Sequence, residues 1–105
     1  MDPATFAVSL CLAAGCSSTP IVQVDDPRNM PSGLVAYTTF DVGRCTLTFT
    51  SESIKRRAVV AHEVCHCLND AAVLTAYGYS HALNPSEVAR REREAQACAK
   101  RLSRG

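Results

Sequence analysis

The pentapeptide His-Glu-Val-Cys-His at residues 62–66 limits the folds open to this chain more than any other feature, because it places two histidines four residues apart in a helical stretch. An α-helix turns about 100° per residue, so side chains at positions i and i+4 share one face. Two imidazoles on one face can bind one metal ion, and Glu63 can reach a water on that metal without being a ligand. The pentapeptide therefore predicts a metal site on a helix.

The segment around this pentapeptide is apolar almost all round, which predicts one buried helix over residues 54–68, with Ser51 or Ser53 as its N-cap. Buried ionisable groups must be paired or bound to a metal, since an uncompensated charge costs on the order of several kcal/mol. The two histidines and Glu63 are therefore not explained as solvent-exposed surface residues.

Two β-rich runs precede this helix, over residues 34–40 and 45–50, and residues 41–44 between them read as a hairpin turn. Apolar residues alternate with threonines in the second run, so one of its faces is predicted to be buried. Residues 21–24 are a candidate short strand. We expect a β-hairpin or short antiparallel sheet that packs on the motif helix.

A second helix is predicted from Asn84 to about Leu102, after a connector over residues 69–84. Asn84 is a good N-cap, Pro85 suits the first helical position, and Glu87 lies in the first turn.

A chain of 105 residues forms one domain, so the fold class is a small α+β domain. The net charge is +1 and no basic tract alternates with aromatic residues, so nucleic acid is not an expected partner.

A catalytic zinc site needs three protein ligands and one open position, so a third ligand should exist. The acidic and histidine candidates that follow the motif are Asp70, His81, Glu87, Glu92 and Glu94. The apolar stripe of the second helix comprises Val88, Ala95, Ala99 and Leu102. Glu92 falls on this stripe, whereas Glu94 lies about 110° away among charged residues. We predict Glu92 as the third ligand, with His81 or Asp70 as alternatives; Glu92 could instead pair with an arginine.

His62-Glu63-x-x-His66, followed by a glutamate on a second helix, resembles the gluzincin arrangement of zinc metallopeptidases. The metzincin extension is absent, because Asn69 and Ala72 stand where that group has Gly and His.

Residues 92–99, Glu-Arg-Glu-Ala-Gln-Ala-Cys-Ala, are also similar to the second-helix pattern Glu-x-x-Ala-Asn-x-Phe-Ala of ImmA/IrrE-type peptidases. In that family the first Glu is a zinc ligand, and it maps to Glu92. Gln96 and Cys98 depart from the family at the Asn and Phe positions. The resemblance covers residues 58–102.

These resemblances imply a zincin-like domain in which His62, His66 and Glu92 bind Zn²⁺. Glu63 would act as general base toward a zinc-activated water that hydrolyses a peptide bond of a peptide or protein substrate. His81 is a candidate catalytic residue that polarises the substrate carbonyl or stabilises the oxyanion. Tyr77 and Tyr79 could do the same or could pack over the site.

Two other interpretations stay open. In a non-catalytic metal-binding envelope lipoprotein the metal would be structural, and a fourth ligand such as Cys65 or His81 would close the site. A small exported module stabilised by disulfides would bind no metal at all.

The N-terminus carries an uncharged, mostly apolar run over residues 6–15, too short to span a bilayer as a helix but suited to a signal peptide. Its end, Leu-Ala-Ala-Gly-Cys at residues 12–16, resembles the lipobox of bacterial lipoproteins, whose cysteine is lipidated and becomes the mature N-terminus. The chain departs from that family at Ala13, where Leu is preferred, and in having no Lys or Arg before residue 6.

The lipobox resemblance implies a signal peptide over residues 1–15, a tether or loop over residues 16–33 and the domain over residues 34–105. It also implies a membrane anchor on Cys16 in the bacterial cell envelope. The alternatives are a buried N-terminal strand or helix and a cytoplasmic protein.

Cleavage before Cys16 would leave four cysteines that can form disulfides in an exported domain, Cys45, Cys65, Cys67 and Cys98. We expect a Cys67–Cys98 or Cys45–Cys98 bridge, because oxidation of Cys65 could strain the two histidines beside it. In the cytosol the four thiols would stay reduced and pack as small apolar side chains.

Overall fold

Three helices and a three-stranded sheet form the part of the chain that the computed structural model describes, residues 1–31, 33–41, 43–77 and 84–104. The elements are α1 (Pro3–Ala14), β1 (Ile21–Val24), β2 (Ala36–Asp41), β3 (Arg44–Phe49), α2 (Arg57–Tyr77) and α3 (Pro85–Arg104), with short 3₁₀ turns at Pro27–Asn29 and Ser53–Lys55. The predicted α+β class is confirmed.

The sheet has the strand order β1-β3-β2, so β3 is central and β2 is an edge strand. The predicted hairpin of β2 and β3 is confirmed, and Gly43 in its turn has a φ of 76°, a left-handed conformation that favours glycine. β1 pairs with β3 in parallel, so the sheet is mixed rather than wholly antiparallel. As predicted, the alternating apolar residues of β3 are buried: Cys45, Leu47 and Phe49.

Helix α2 begins and ends later than predicted. Ser53 does not cap this helix, because its side chain is used in the preceding 3₁₀ turn. There the hydroxyl of Ser53 accepts a hydrogen bond from the backbone N–H of Thr50, and the hydroxyl of Thr50 accepts one from the backbone N–H of Ser53, both at 3.0 Å. The helix starts at Arg57 and continues to Tyr77, so the predicted connector is helical over residues 69–77. Residues 69–77 contain no glycine or proline, and the polar pair Asn69-Asp70 does not by itself end a helix.

Helix α3 begins as predicted. The side-chain oxygen of Asn84 accepts a hydrogen bond from the backbone N–H of Glu87 at 3.0 Å, which is an N-cap contact. Ala95 and Ala99 of the predicted stripe are buried against Ala61 and Cys65 of α2. This contact turns one face of α3 toward the histidine-bearing face of α2.

The disulfides differ from both expected bridges: Cys45 pairs with Cys67, and Cys65 pairs with Cys98. Cys65 and Cys67 are two positions apart on α2, about 200° round the helix, so they face opposite ways. Cys67 meets the buried face of β3, whereas Cys65 meets the apolar stripe of α3. The expected Cys67–Cys98 and Cys45–Cys98 bridges are therefore wrong.

The N-terminal segment forms α1, which Asp2 caps by accepting a hydrogen bond from the backbone N–H of Thr5 at 3.0 Å. Ala7 and Cys11 of α1 are fully buried in the same core as β3 and α2, and Cys11 pairs with Cys16. No described helix is long and apolar enough to cross a bilayer. The predicted division into leader, tether and domain stays a prediction, although α1 and β1 both pack within this fold.

Candidate metal centre

The two histidines of the motif meet on one face of α2, as their spacing predicts. Their ring centroids are 4.8 Å apart, and the Nε2 atoms of His62 and His66 are 3.2 Å apart. His66 is buried, while the side chain of His62 is 20% exposed. Both Nε2 atoms therefore face one point at the surface of the helix.

Helix α3 brings Glu92 to the same point. One carboxylate oxygen of Glu92 lies 2.8 Å from His62 Nε2, and the other lies 3.0 Å from His66 Nε2. The position of Glu92 follows from the helical period, since it lies three residues before Ala95, which is buried against α2. His62, His66 and Glu92 thus offer donor atoms that all lie within 4.8 Å of one another.

The other ring nitrogen of each histidine has a hydrogen-bond partner of its own. His62 Nδ1 lies 3.2 Å from Gln96 Oε1, and His66 Nδ1 lies 2.7 Å from Asp70 Oδ2. Because amide and carboxylate oxygens accept hydrogen bonds, each Nδ1 can donate its N–H to this partner. When a ring is neutral with its proton on Nδ1, the lone pair of Nε2 can bind a cation; without a bound cation, Nε2 can carry a proton that it donates to Glu92.

Asp70 does not join the donor group, although it was an alternative third ligand. It lies behind His66, is 2% exposed, and accepts a hydrogen bond from Arg91 Nη1 at 2.8 Å. Arg91 of α3 thereby joins the two helices through a partly buried ion pair. In the described part of the chain, Glu92 is the acid that faces both histidines.

The charge balance of the group favours a cation between the imidazoles. Burial lowers the pKa of His66, but its hydrogen bonds to Asp70 and Glu92 outweigh burial and raise the pKa to about 10. The hydrogen bond to Glu92 raises the pKa of His62 more than burial lowers it. Burial raises the pKa of the Glu92 carboxyl, yet hydrogen bonds from both histidines hold it well below its usual range. A proton or a metal ion can supply the positive charge that these groups favour.

Glu63 lies beside the donor group but outside it. The residue is 6% exposed, and its Oε1 accepts a hydrogen bond from the hydroxyl of Thr38 in β2 at 2.7 Å. Burial raises the pKa of Glu63, and the nearby His66 and the Thr38 hydrogen bond offset only part of that shift. A carboxyl with a raised pKa is suited to taking up and releasing a proton.

An open cleft of about 430 Å³ runs past these groups. His62, Glu63 and Glu92 line one side of it, and residues 33–36, which lead into the edge strand β2, line another. The cleft gives the donor group access to solvent and to a ligand larger than water.

Other candidates fall elsewhere. Glu87 and Glu94 form ion pairs with Arg90, which is 45% exposed. His81 and Tyr79 lie outside the described residues, and Tyr77 is the last residue of α2, so the roles expected of these three stay predictions.

The sequence did not predict the supporting roles of Gln96, of Thr38 and of the Asp70–Arg91 pair. Gln96 could have been found, because it lies four residues after Glu92 and so shares its face. Thr38 lies at an inward position of a strand, which marks it as buried but does not indicate its partner. No local pattern pairs Asp70 with Arg91, which lie 21 residues apart in the sequence.

The fold and the site together define a small α+β domain with a two-histidine, one-glutamate donor set and a buried acid beside it. No protein-family model matches the chain, and neither the curated proteins nor the solved structures give a match. The resemblance to zinc peptidases therefore rests on the residues of the motif and on residues 92–99.

Proposed function

We propose that the chain is a zinc-dependent peptidase that hydrolyses peptide bonds with an activated water. The observation that carries this proposal is the convergence of His62, His66 and Glu92 beside the buried Glu63 at one side of an open cleft. Two imidazole nitrogens and one carboxylate are the donor set of one group of catalytic zinc sites, which keep a further position open. The donor chemistry therefore fits zinc.

The bound metal would lower the pKa of a water and polarise the carbonyl under attack. Glu63 takes the proton from the attacking water and delivers it to the leaving amine. Thr38 holds one oxygen of Glu63, which leaves the other oxygen to contact the water. Gln96 and Asp70 fix the orientation of the two imidazoles.

The edge strand β2 offers a way to hold the substrate. An extended peptide can add to an exposed sheet edge through backbone hydrogen bonds, and residues 33–36 already line the cleft. A peptide placed there would run past Glu63. This geometry favours a peptide or protein substrate over a small metabolite.

A purely structural metal site is the second candidate. Such a site needs a fourth protein ligand, and Cys65 was one of two expected sources. Cys65 is bonded to Cys98, so its sulfur is not a thiolate ligand. This pairing removes one of the two expected fourth ligands, and the other, His81, lies outside the described residues.

We also propose export and lipidation at Cys16. Cys45, Cys65, Cys67 and Cys98 pair among themselves, so these two disulfides can form after removal of residues 1–15, whereas the Cys11–Cys16 bridge cannot. The mass of the mature protein from bacterial membranes tests this proposal: diacylation at Cys16 supports it, and an intact Met1 with a Cys11–Cys16 bridge contradicts it.

Glu63→Gln tests the peptidase proposal. The amide cannot act as a base but leaves the donor group in place, so we expect unchanged zinc content and at least a 100-fold loss of peptide hydrolysis, about the contribution of a general base. Glu52→Gln, at an exposed position outside the site, is the control. Hydrolysis by Glu63→Gln at the wild-type rate would contradict the proposal.

A further inference from the structure

The disulfide between Cys65 and Cys98 joins the two helices that carry the candidate metal ligands. Cys65 lies between His62 and His66 on α2, and Cys98 lies six residues after Glu92 on α3. Both cysteines are buried in the contact between the helices. The bond therefore fixes the separation of α2 and α3 close to the point where the donor atoms meet.

Where the structure describes its side chains, the apolar part of this helix contact is otherwise made of small residues. Among the described side chains, the buried apolar residues of this contact besides the two cysteines are Ala61, Ala95 and Ala99, with Leu10 and Leu102 packed at the edge. Apolar stabilisation scales with the area buried, and alanines bury little. In the part of the contact whose side chains are described, α2 and α3 are thus joined by the covalent link, by the Arg91–Asp70 ion pair and by the contacts of Glu92 and Gln96 with the two histidines.

The second disulfide of α2 serves a different part of the fold. Cys67 is bonded to Cys45 of β3, on the face of α2 that packs on the sheet. This bond stabilises the core but does not reach α3 or Glu92. It provides a comparison, because it also fixes α2 but links it to the sheet rather than to α3.

We propose that the Cys65–Cys98 disulfide is a positioning device for the metal centre, which holds Glu92 at the distance from His62 and His66 that metal binding needs. This inference rests on the metal centre of the proposed function. A metal site whose ligands are already in place does not have to order them on binding, so its affinity is higher. Without the bond, part of the binding free energy would be spent on bringing α3 to α2.

The link forms by thiol–disulfide exchange. The thiols of Cys65 and Cys98 pass two electrons and two protons to a disulfide oxidant, one S–S bond forms in the protein, and the oxidant leaves as two thiols. Such exchange is available to exported proteins. The chain would thus gain its full metal affinity after it leaves a reducing compartment.

The test compares the zinc dissociation constants of four full-length proteins by competition with a chromophoric chelator. Wild type and Cys45→Ala/Cys67→Ala should agree within about threefold, whereas Cys65→Ala/Cys98→Ala should bind at least tenfold more weakly. Cys65→Ala/Cys98→Val refills part of the space left by the sulfurs and should show the same loss. Circular dichroism at the assay temperature checks that each variant is folded.

A double-mutant cycle with Glu92→Gln separates positioning from general destabilisation. If the disulfide acts through Glu92, then Glu92→Gln should weaken zinc binding less in the Cys65→Ala/Cys98→Ala background than in wild type. Additive losses, or a folded variant without the disulfide that binds zinc as wild type does, would overturn the inference. Failure of wild type itself to bind zinc would overturn the proposed metal centre, and this inference with it.

Discussion

At the scale of single residues, the two ring nitrogens of His66 contact different acids, Glu92 and Asp70. The sequence offered both of these acids as candidates for the third metal ligand. Nε2 faces Glu92 at 3.0 Å, and Nδ1 faces Asp70 at 2.7 Å. A histidine that binds a metal through one nitrogen usually donates the other N–H to a carboxylate or a carbonyl. The arrangement supports Glu92 as a ligand and Asp70 as the residue that orients the ring.

Asp70→Asn tests the role of the orienting carboxylate. The change keeps the size of the side chain but removes its charge, and we expect zinc affinity to fall about 10–100-fold, as it does for other partners of metal-bound histidines. Chelator competition measures the loss. Asp41→Asn, at the exposed end of β2, should bind zinc as wild type does. An equal affinity in Asp70→Asn and wild type would be evidence against this role.

Thr38→Val tests the contact that holds Glu63. Valine is similar in shape but has no hydroxyl, so the carboxyl of Glu63 loses its hydrogen bond from β2. We expect zinc content to be unchanged and kcat/KM for a peptide to fall about tenfold, a part of what a well-placed base contributes. Thr39→Val, the next residue along β2, is the control and should keep full activity. Loss of zinc together with activity would show that Thr38 acts in another way.

At the scale of elements, local signals predicted the hairpin and the start of α3. The signals were the glycine in the hairpin turn and the Asn84-Pro85 pair at the start of α3. Each determines the conformation of only a few neighbouring residues, so tertiary contacts did not alter the predicted structure. The limits of α2 were wrong for the opposite reason. Ser53 had a competing role in the 3₁₀ turn that only the packed structure shows, and residues 69–77 contain no residue that ends a helix.

The pairing of the cysteines could not be predicted from the helical positions of Cys65 and Cys67 alone. The phase of α2 puts Cys65 and Cys67 on opposite faces, but it does not say which face meets the sheet and which meets α3. That choice depends on how the elements pack. It is fixed by contacts between residues 22 and 33 positions apart, beyond the reach of any local pattern.

Asn84→Ala tests the N-cap of α3. Loss of the hydrogen bond to the N–H of Glu87 should lower the free energy of unfolding by about 1 kcal/mol, the typical contribution of such a cap. Urea denaturation followed by circular dichroism measures the change. Asn69→Ala, at an exposed position inside α2, should leave stability unchanged or raise it slightly, because alanine favours a helix. An equal response of the two variants would argue against the cap.

At the scale of the whole molecule, the candidate metal centre combines three elements that are distant in the sequence. Helix α2 supplies His62, Glu63 and His66, α3 supplies Glu92, and β2 supplies Thr38. Periodicity predicted the contributions of the two helices, because each ligand lies on a face that its own helix defines. The contribution of β2 could not be predicted, since it depends on how the sheet packs under α2.

The measurement that tests the central claim most directly is the zinc content of the purified protein by elemental analysis, in wild type and in His62→Ala, Glu92→Gln and Glu94→Gln. Glu94 lies two residues from Glu92 on the exposed side of α3 and serves as the matched control. We predict about one zinc per chain in wild type and Glu94→Gln, with most of the metal lost in the other two, as expected for a site with three protein ligands. Wild type without zinc, or Glu92→Gln with a full complement, would contradict the account.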